Sequence, residues 1–386
     1  MSIRNEALNI WQNVQELDLR PIRDAAERPV QIALIGAPEA GKRTLASQLR
    51  TDSHFSIRNT HSPIQICTWD EAEQANDADL IVVVIDVQTS TVEHAQAWLR
   101  QWQITKKTLL VFYNKVDLLG NDDVIVWLDT QTTPKLYGSA LDRAFLETKF
   151  AEAVLTALPE HHLALGRQFP LFRDLGATKL INETSLSNAA YSLGTGLAEI
   201  VPLLDVPLNV ADIIILTKTQ ALLVYKLGLM LGMSTDWQYY VAEFGSVVGS
   251  GFLWRQMARS LVGLIPIWGI VPKVGVAYSG TFVVGHVVVQ WYKTGRHLSQ
   301  EKIRDLTGAA FDQGKEIARG WVKKMPRPKR LSLRKRKQDE EPTILLKPDD
   351  AATQTRPVCA HCATLNEHDA KFCKSCGQPF DEPLDG

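Results

Sequence analysis

A chain of 386 residues is longer than one hydrophobic core usually supports, so more than one domain is expected. Its 42 Lys and Arg nearly cancel 43 Asp and Glu, and a formal net charge of −1 gives no electrostatic reason to expect a nucleic-acid partner. Five cysteines, with Cys67 alone and the rest clustered near the C-terminus, do not make a disulfide framework; they fit a metal site in a reducing, cytoplasmic setting.

The opening residues, MSIRNEALNIWQN, hold no apolar run and no small-residue cleavage site, so no secretory signal is expected. Ile10, Trp11, Val14 and Leu17 share a helical face, and residues 1–28 are expected to brace the domain that follows. Residues 29–44, PVQIALIGAPEAGKRT, read as a buried strand, a glycine turn and the start of a helix. Gly36 and Gly41 let a backbone approach phosphates, the helix start presents free N–H groups to an anion, and Lys42 adds a mobile positive charge. The pattern G-x-x-x-x-G-K is complete. The Ser or Thr that should follow, whose hydroxyl holds magnesium, is replaced by Arg43, with Thr44 one place late.

From there the chain alternates. Apolar strands are expected at Val30–Ile35, Ile64–Trp69, Leu80–Ile85, Thr108–Tyr113 and Lys135–Tyr137. Helical faces lie between and after them: Leu45 with Leu49, Val92 to Trp102, and Phe145 to Leu158. The pattern predicts an α/β domain over 29–160, a mostly parallel sheet with helices on both faces, with ligands at the carboxyl ends of the strands. Two motifs fall there. Asn114-Lys115-Val116-Asp117 follows one strand: Asp117 can accept two hydrogen bonds from guanine N1 and N2, the Lys115 stem can lie along the base, and Asn114 can tie the motif to the phosphate loop. Ser139-Ala140-Leu141 follows the next strand, where a backbone N–H can meet the guanine O6.

GAPEAGK, NKVD and SAL, in this order and each after a strand, resemble the Era-like P-loop GTPases over roughly residues 28–158. The resemblance implies bound GTP or GDP, and it puts Asp70 where the family reaches magnesium through water. The family's D-x-x-G is here Asp70-Glu71-Ala72-Glu73, so the glycine that contacts the γ-phosphate is absent. Thr60 is the candidate switch threonine. Both departures, Arg43 and Glu73, touch the metal and the γ-phosphate, on which phosphoryl transfer depends, and leave base recognition intact. Nucleotide binding with slow or absent hydrolysis is therefore expected. Arg43 is a candidate to replace the charge of magnesium, and magnesium itself would bind without its usual hydroxyl ligand.

Residues 161–322 are expected to be helical. The stretch from Pro170 to Pro207 reads as short helices, and ADIIILTKTQALLVYKLGLMLGM as a stronger one, apolar on most sides. Val274–Tyr292 carries no formal charge and is long enough to span a bilayer. Pro266 and Pro272 suggest a break before it, and FGSVVGSGFLWRQMARSLVGLI suggests the other arm of a hairpin across 244–292. Ala277, Thr281 and Gly285 line one face for close packing. Arg255 and Arg259 would be costly in lipid, so two readings stand: attachment to the cytoplasmic face of a membrane, or a soluble helical core. This region also resembles a domain of unknown function that accompanies bacterial GTPases and is described as membrane-associated.

Residues 323–357 begin with the basic run KKMPRPKRLSLRKRK and turn acidic, which suits a solvated tether, an anionic-lipid contact or a nucleic-acid contact. Residues 358–386 contain two C-x-x-C pairs, Cys359 with Cys362 and Cys373 with Cys376, the donor set of a structural zinc site. They resemble small bacterial zinc ribbons, with a protein partner the sequence does not name. The leading expectation is a guanine-nucleotide-binding regulatory protein; the alternative is an inactive GTPase-like scaffold acting through its hairpin and ribbon.

Overall fold

In a computed structural model of the chain, residues 18–51, 63–89, 92–102, 108–120, 133–198, 210–237, 240, 270–296 and 298–324 are described. All of them fall in the first of two compact units, Met1–Pro326. The zinc-ribbon cysteines, Thr60 and the first hairpin arm lie outside the described residues.

A short helix, α1 (Arg20–Glu27), precedes the first strand. Five strands follow: β1 (Ile32–Ile35), β2 (Ile64–Cys67), β3 (Leu80–Asp86), β4 (Leu109–Asn114) and β5 (Lys135–Tyr137). They form one parallel sheet in the order β2-β1-β3-β4-β5. Alternation explains its two cores. Ile32, Leu34, Val82, Val84, Leu110 and Phe112 point to one face, and Ala33, Ile35, Ile81, Val83, Val111 and Tyr113 to the other. The first face is covered by α2 (Lys42–Leu49) and by a helix in three pieces, α4 (Arg143–Phe145), a π turn at Leu146–Phe150 and α5 (Ala151–Ala157). The second is covered by a 3₁₀ helix at Ala72–Asp77 and by α3 (Val92–Trp102). The central strand β3 is buried at every residue, as its unbroken apolar run requires.

The strand order reverses between β1 and β3. In doubly wound sheets such a reversal is where a crevice opens at the carboxyl ends of the strands, and here Gly36 and Asp86 stand at that point.

The helical region is α6 (His162–Gln168), α7 (Arg173–Ala198), α8 (Val210–Met230), α9 (Ile270–Thr294) and α10 (Gln300–Lys324). The short helices expected after Pro170 are instead one 26-residue helix, α7. Gly176 does not end it, because the position packs against Met230 of α8, and tertiary contact outweighs a helix penalty of about 1 kcal/mol per glycine. Pro272 does not interrupt α9 either; it lies in the first turn, where its missing N–H costs nothing. The small-residue face of α9 packs on α7: a side chain at Gly285 would meet Ile181 at 2.6 Å. Helix α1 leans on α6 and α8, and Ala26, Leu19 and Ile22 join the helical core rather than the sheet's.

Helix α9 is, among the described residues, the one helix long and apolar enough to cross a membrane, and 67% of its most apolar window is buried inside the molecule. A core helix passes the same test, and α7, α8 and α10 pack against it.

Candidate nucleotide site at the carboxyl edge of the sheet

The two loop glycines are fixed by close approach as well as by turn geometry. A side chain at Gly36 would meet the Val84 carbonyl oxygen of β3 at 2.3 Å. Gly41 has φ 93°, and a side chain there would meet Asn114 Nδ2 at 2.1 Å. Glu39 also adopts a left-handed φ, so the loop curls tightly between β1 and α2. The curl returns Lys42, the first residue of α2, to the start of the loop, and its ammonium donates to the Gly36 and Ala37 carbonyls at 2.6 and 2.5 Å. Lys42 is 7% exposed. Burial, and then the Arg43 charge, push its pKa below the ordinary lysine value, while Cys67 and Glu71 oppose the shift. Arg43 is exposed on the first turn of α2, and Thr44 is half-buried beside it.

Asn114, the last residue of β4, is 2% exposed and holds three segments together. Its Nδ2 donates to the Ala40 carbonyl of the phosphate loop at 2.8 Å, and its Oδ1 accepts from the Ala140 N–H at 2.7 Å. The tie from Asn114 to the phosphate loop is the one its motif predicts. The use of Ala140 was not foreseen, and it commits an N–H that was a candidate for guanine O6. The next donor, Leu141 N–H, makes a longer bond of 3.3 Å to Ser139 Oγ.

Lys115 follows with φ 66° and caps a 3₁₀ turn, Val116–Leu118, that leaves Asp117 exposed. The turn is anchored by Val116 N–H to the Gly138 carbonyl. Asp142 caps α4 through the Phe145 N–H, and Arg143 donates to the Gln48 carbonyl in the last turn of α2 and to the Thr51 carbonyl just past its end. The loop after β5 is therefore fastened to both ends of α2.

The turn after β2 is organised by Glu71 rather than by Asp70. Glu71 accepts from the Thr68 N–H and hydroxyl, which hold its pKa below the ordinary carboxylate value. Asp70 is exposed, and Glu73 sits in the 3₁₀ helix that begins at Ala72.

The structure thus joins Gly36, Gly41, Lys42, Asn114, Lys115, Ser139 and Ala140 in one connected edge, with Arg43, Thr44 and Asp117 beside it and Asp70 on the turn after β2. Among the described residues no group of three or more His, Cys, Asp or Glu could hold a metal ion. Sequence reading missed Asp86, Glu71 and Arg143. Asp86 carried a signal: one carboxylate ending an otherwise apolar central strand, where ligands bind. No family model matches the chain, and no curated protein matches it.

Proposed function

We propose that the chain is a guanine-nucleotide-binding regulatory protein with slow or absent hydrolysis, whose nucleotide biases the helical region. The observation that carries this reading is the Asn114 bridge between the Gly36–Gly41 loop and the Ser139-Ala140-Leu141 loop at the carboxyl edge of the sheet, whose strand order reverses between β1 and β3. Phosphates would lie on the N–H groups at the start of α2, with Lys42 turning from the loop carbonyls to the anion. Asp117 would accept from guanine N1 and N2, and Leu141 N–H, the less committed donor, would meet O6. Arg43 stands where a magnesium hydroxyl is usual and Glu73 where a γ-phosphate N–H is usual, which supports binding over turnover. Arg43 would supply charge beside the phosphates.

Coupling to the helices has a physical route. Helix α2 packs on the 3₁₀ turn Pro170–Phe172, which runs directly into α7. The location this reading favours is the cytoplasmic face of a membrane, with 244–265 and the basic 323–337 as the contacts. The four thiolates of Cys359, Cys362, Cys373 and Cys376 fit a tetrahedral zinc ion, and the ribbon would dock a protein.

Titration with GTP, GDP and ATP, with and without a magnesium chelator, and a multiple-turnover hydrolysis assay test the central reading. Guanine-selective binding that survives chelation, with turnover far below about 1 per second, is expected. Equal binding of ATP and GTP overturns it, and complete loss of binding on chelation overturns the role of Arg43. Cell fractionation with salt and detergent washes tests the membrane contact; recovery in the soluble fraction at low salt contradicts it. Zinc released by a thiol reagent from the full chain tests the ribbon.

A further inference from the structure

Asp86 is the one carboxylate on β3, 5% exposed, at the strand's last residue. It pairs in register with Asn114, so it stands at the same edge as the bridge between the loops. Both its oxygens are used. Oδ1 accepts from the Gln88 N–H at 3.0 Å, and Oδ2 accepts from the Lys115 ammonium at 2.6 Å. The first bond fixes the plane of the carboxylate and the second fixes the far end of a four-carbon side chain. A lysine stem has several rotatable bonds and a strongly hydrated head, so without an anchor the head turns to water. An ion pair this poorly exposed adds little net stability, because desolvation offsets the attraction. Its placement is the more informative property.

We infer that Asp86 is a positioning residue of the guanine site: by holding the Lys115 ammonium across the end of β3, it lays the Lys115 methylene stem as a flat apolar wall for the purine ring. This rests on the nucleotide reading above and adds the group that sets the geometry of the base-stacking surface. Asp86 does not touch the nucleotide; it acts through Lys115.

The test is GDP titration, with ADP as reference, of the full chain and of Asp86→Asn, Lys115→Met and their combination. Asp86→Asn keeps the shape and the Gln88 contact but loses the charge, and roughly tenfold weaker GDP binding is expected. Lys115→Met keeps the stem but loses the ammonium and should lose as much. The double variant should be no weaker than either single one, because both remove the same interaction. A merely structural Asp86 would give additive losses and would weaken ADP in proportion. Should Asp86→Asn fail to fold, Lys115→Arg decides: it keeps the ion pair and should retain GDP affinity close to that of the native chain, well above Lys115→Met. Native-like GDP binding by Asp86→Asn or by Lys115→Met, or additive losses, overturns the positioning role while leaving the guanine reading intact. Absence of any GDP preference in the native chain overturns both.

Discussion

Asn114 and Asn188 are buried to the same degree, 2% exposed each, and each spends its amide on segments far apart in the chain. Asn114 stands at the end of a strand and ties two loops. Asn188 stands in the middle of α7 and ties two helices: its Nδ2 donates to Thr281 Oγ1 of α9 at 2.8 Å, and its Oδ1 accepts from Thr219 Oγ1 of α8 at 2.9 Å. Thr281 is fully buried and Gln220 also reaches it, so this polar knot is closed inside an apolar bundle. One amide shapes an edge that a ligand can meet. The other fixes the register of helices packed against one another in the helical core. Burial and hydrogen bonding are alike in the two places, and what separates a site from a staple is whether the partners are loops at a rim or helices in a core.

The sharpest blow to the rim is Gly41→Ala. A left-handed φ and a 2.1 Å clash with the Asn114 amide act together, so a loss of roughly 3 kcal/mol in chemical denaturation and no measurable GDP binding are expected. The paired substitutions Asn114→Ala and Asn188→Ala come next. Each strands buried partners and should cost about 2–3 kcal/mol. Only the first should abolish GDP binding; the second should leave the affinity within about threefold, as distant sites add independently. Equal losses of affinity would erase the distinction between rim and core.

Much of the α/β half was legible because each strand has one period and the buried run of β3 can hardly be anything else. The motif residues came together because strand ends in a parallel sheet share one edge. The helical half was harder. Gly176 and Pro272 are breakers by local rule, yet a glycine against Met230 and a proline in a first turn belong to the packing, which local sequence does not reveal. Of the brace expected over residues 1–28, the face Ile10, Trp11, Val14 and Leu17 lies outside the described residues, and the described helix Arg20–Glu27 leans on the helical core. Asp86 escapes the sequence reading because it falls just past the apolar run Leu80–Ile85, where a lone carboxylate reads as the turn after a strand; the structure makes it the last residue of β3.

A smaller effect concerns pH. On the nucleotide reading the Lys42 ammonium would strengthen phosphate binding, and burial holds its pKa below its ordinary 10.5 in the free chain. An incoming phosphate raises it again, so binding takes up a proton at alkaline pH. Nucleotide affinity should decline as the pH rises through that lowered value, at a pH below 10.5, and the decline should vanish in Lys42→Met. Calorimetry in buffers of different ionisation heat reads the proton uptake directly.

The smallest effect lies at the turn after β2. The Glu71 carboxyl is held below its ordinary 4.5 by the Thr68 N–H and then the Thr68 hydroxyl. Its support for the turn is present above that ordinary value and is lost as the pH falls through the lowered one. The Thr68 amide resonance should follow this titration, and Glu71→Gln should flatten it without altering GDP binding at neutral pH.

Asp117 is proposed to read guanine, and one exchange of atoms tests that most directly. A carboxylate accepts from both donors of guanine, N1–H and the N2 amine, whereas an amide offers one acceptor and one donor and suits the C2 carbonyl of xanthine. Titration of the native chain and of Asp117→Asn with GDP and xanthosine diphosphate should therefore show preferences that cross. The native chain is expected to favour GDP by roughly a hundredfold, because the wrong base leaves polar groups unpaired, and the variant to favour the xanthine nucleotide. A native chain that binds the two alike, or a variant that keeps the native preference, would contradict the account.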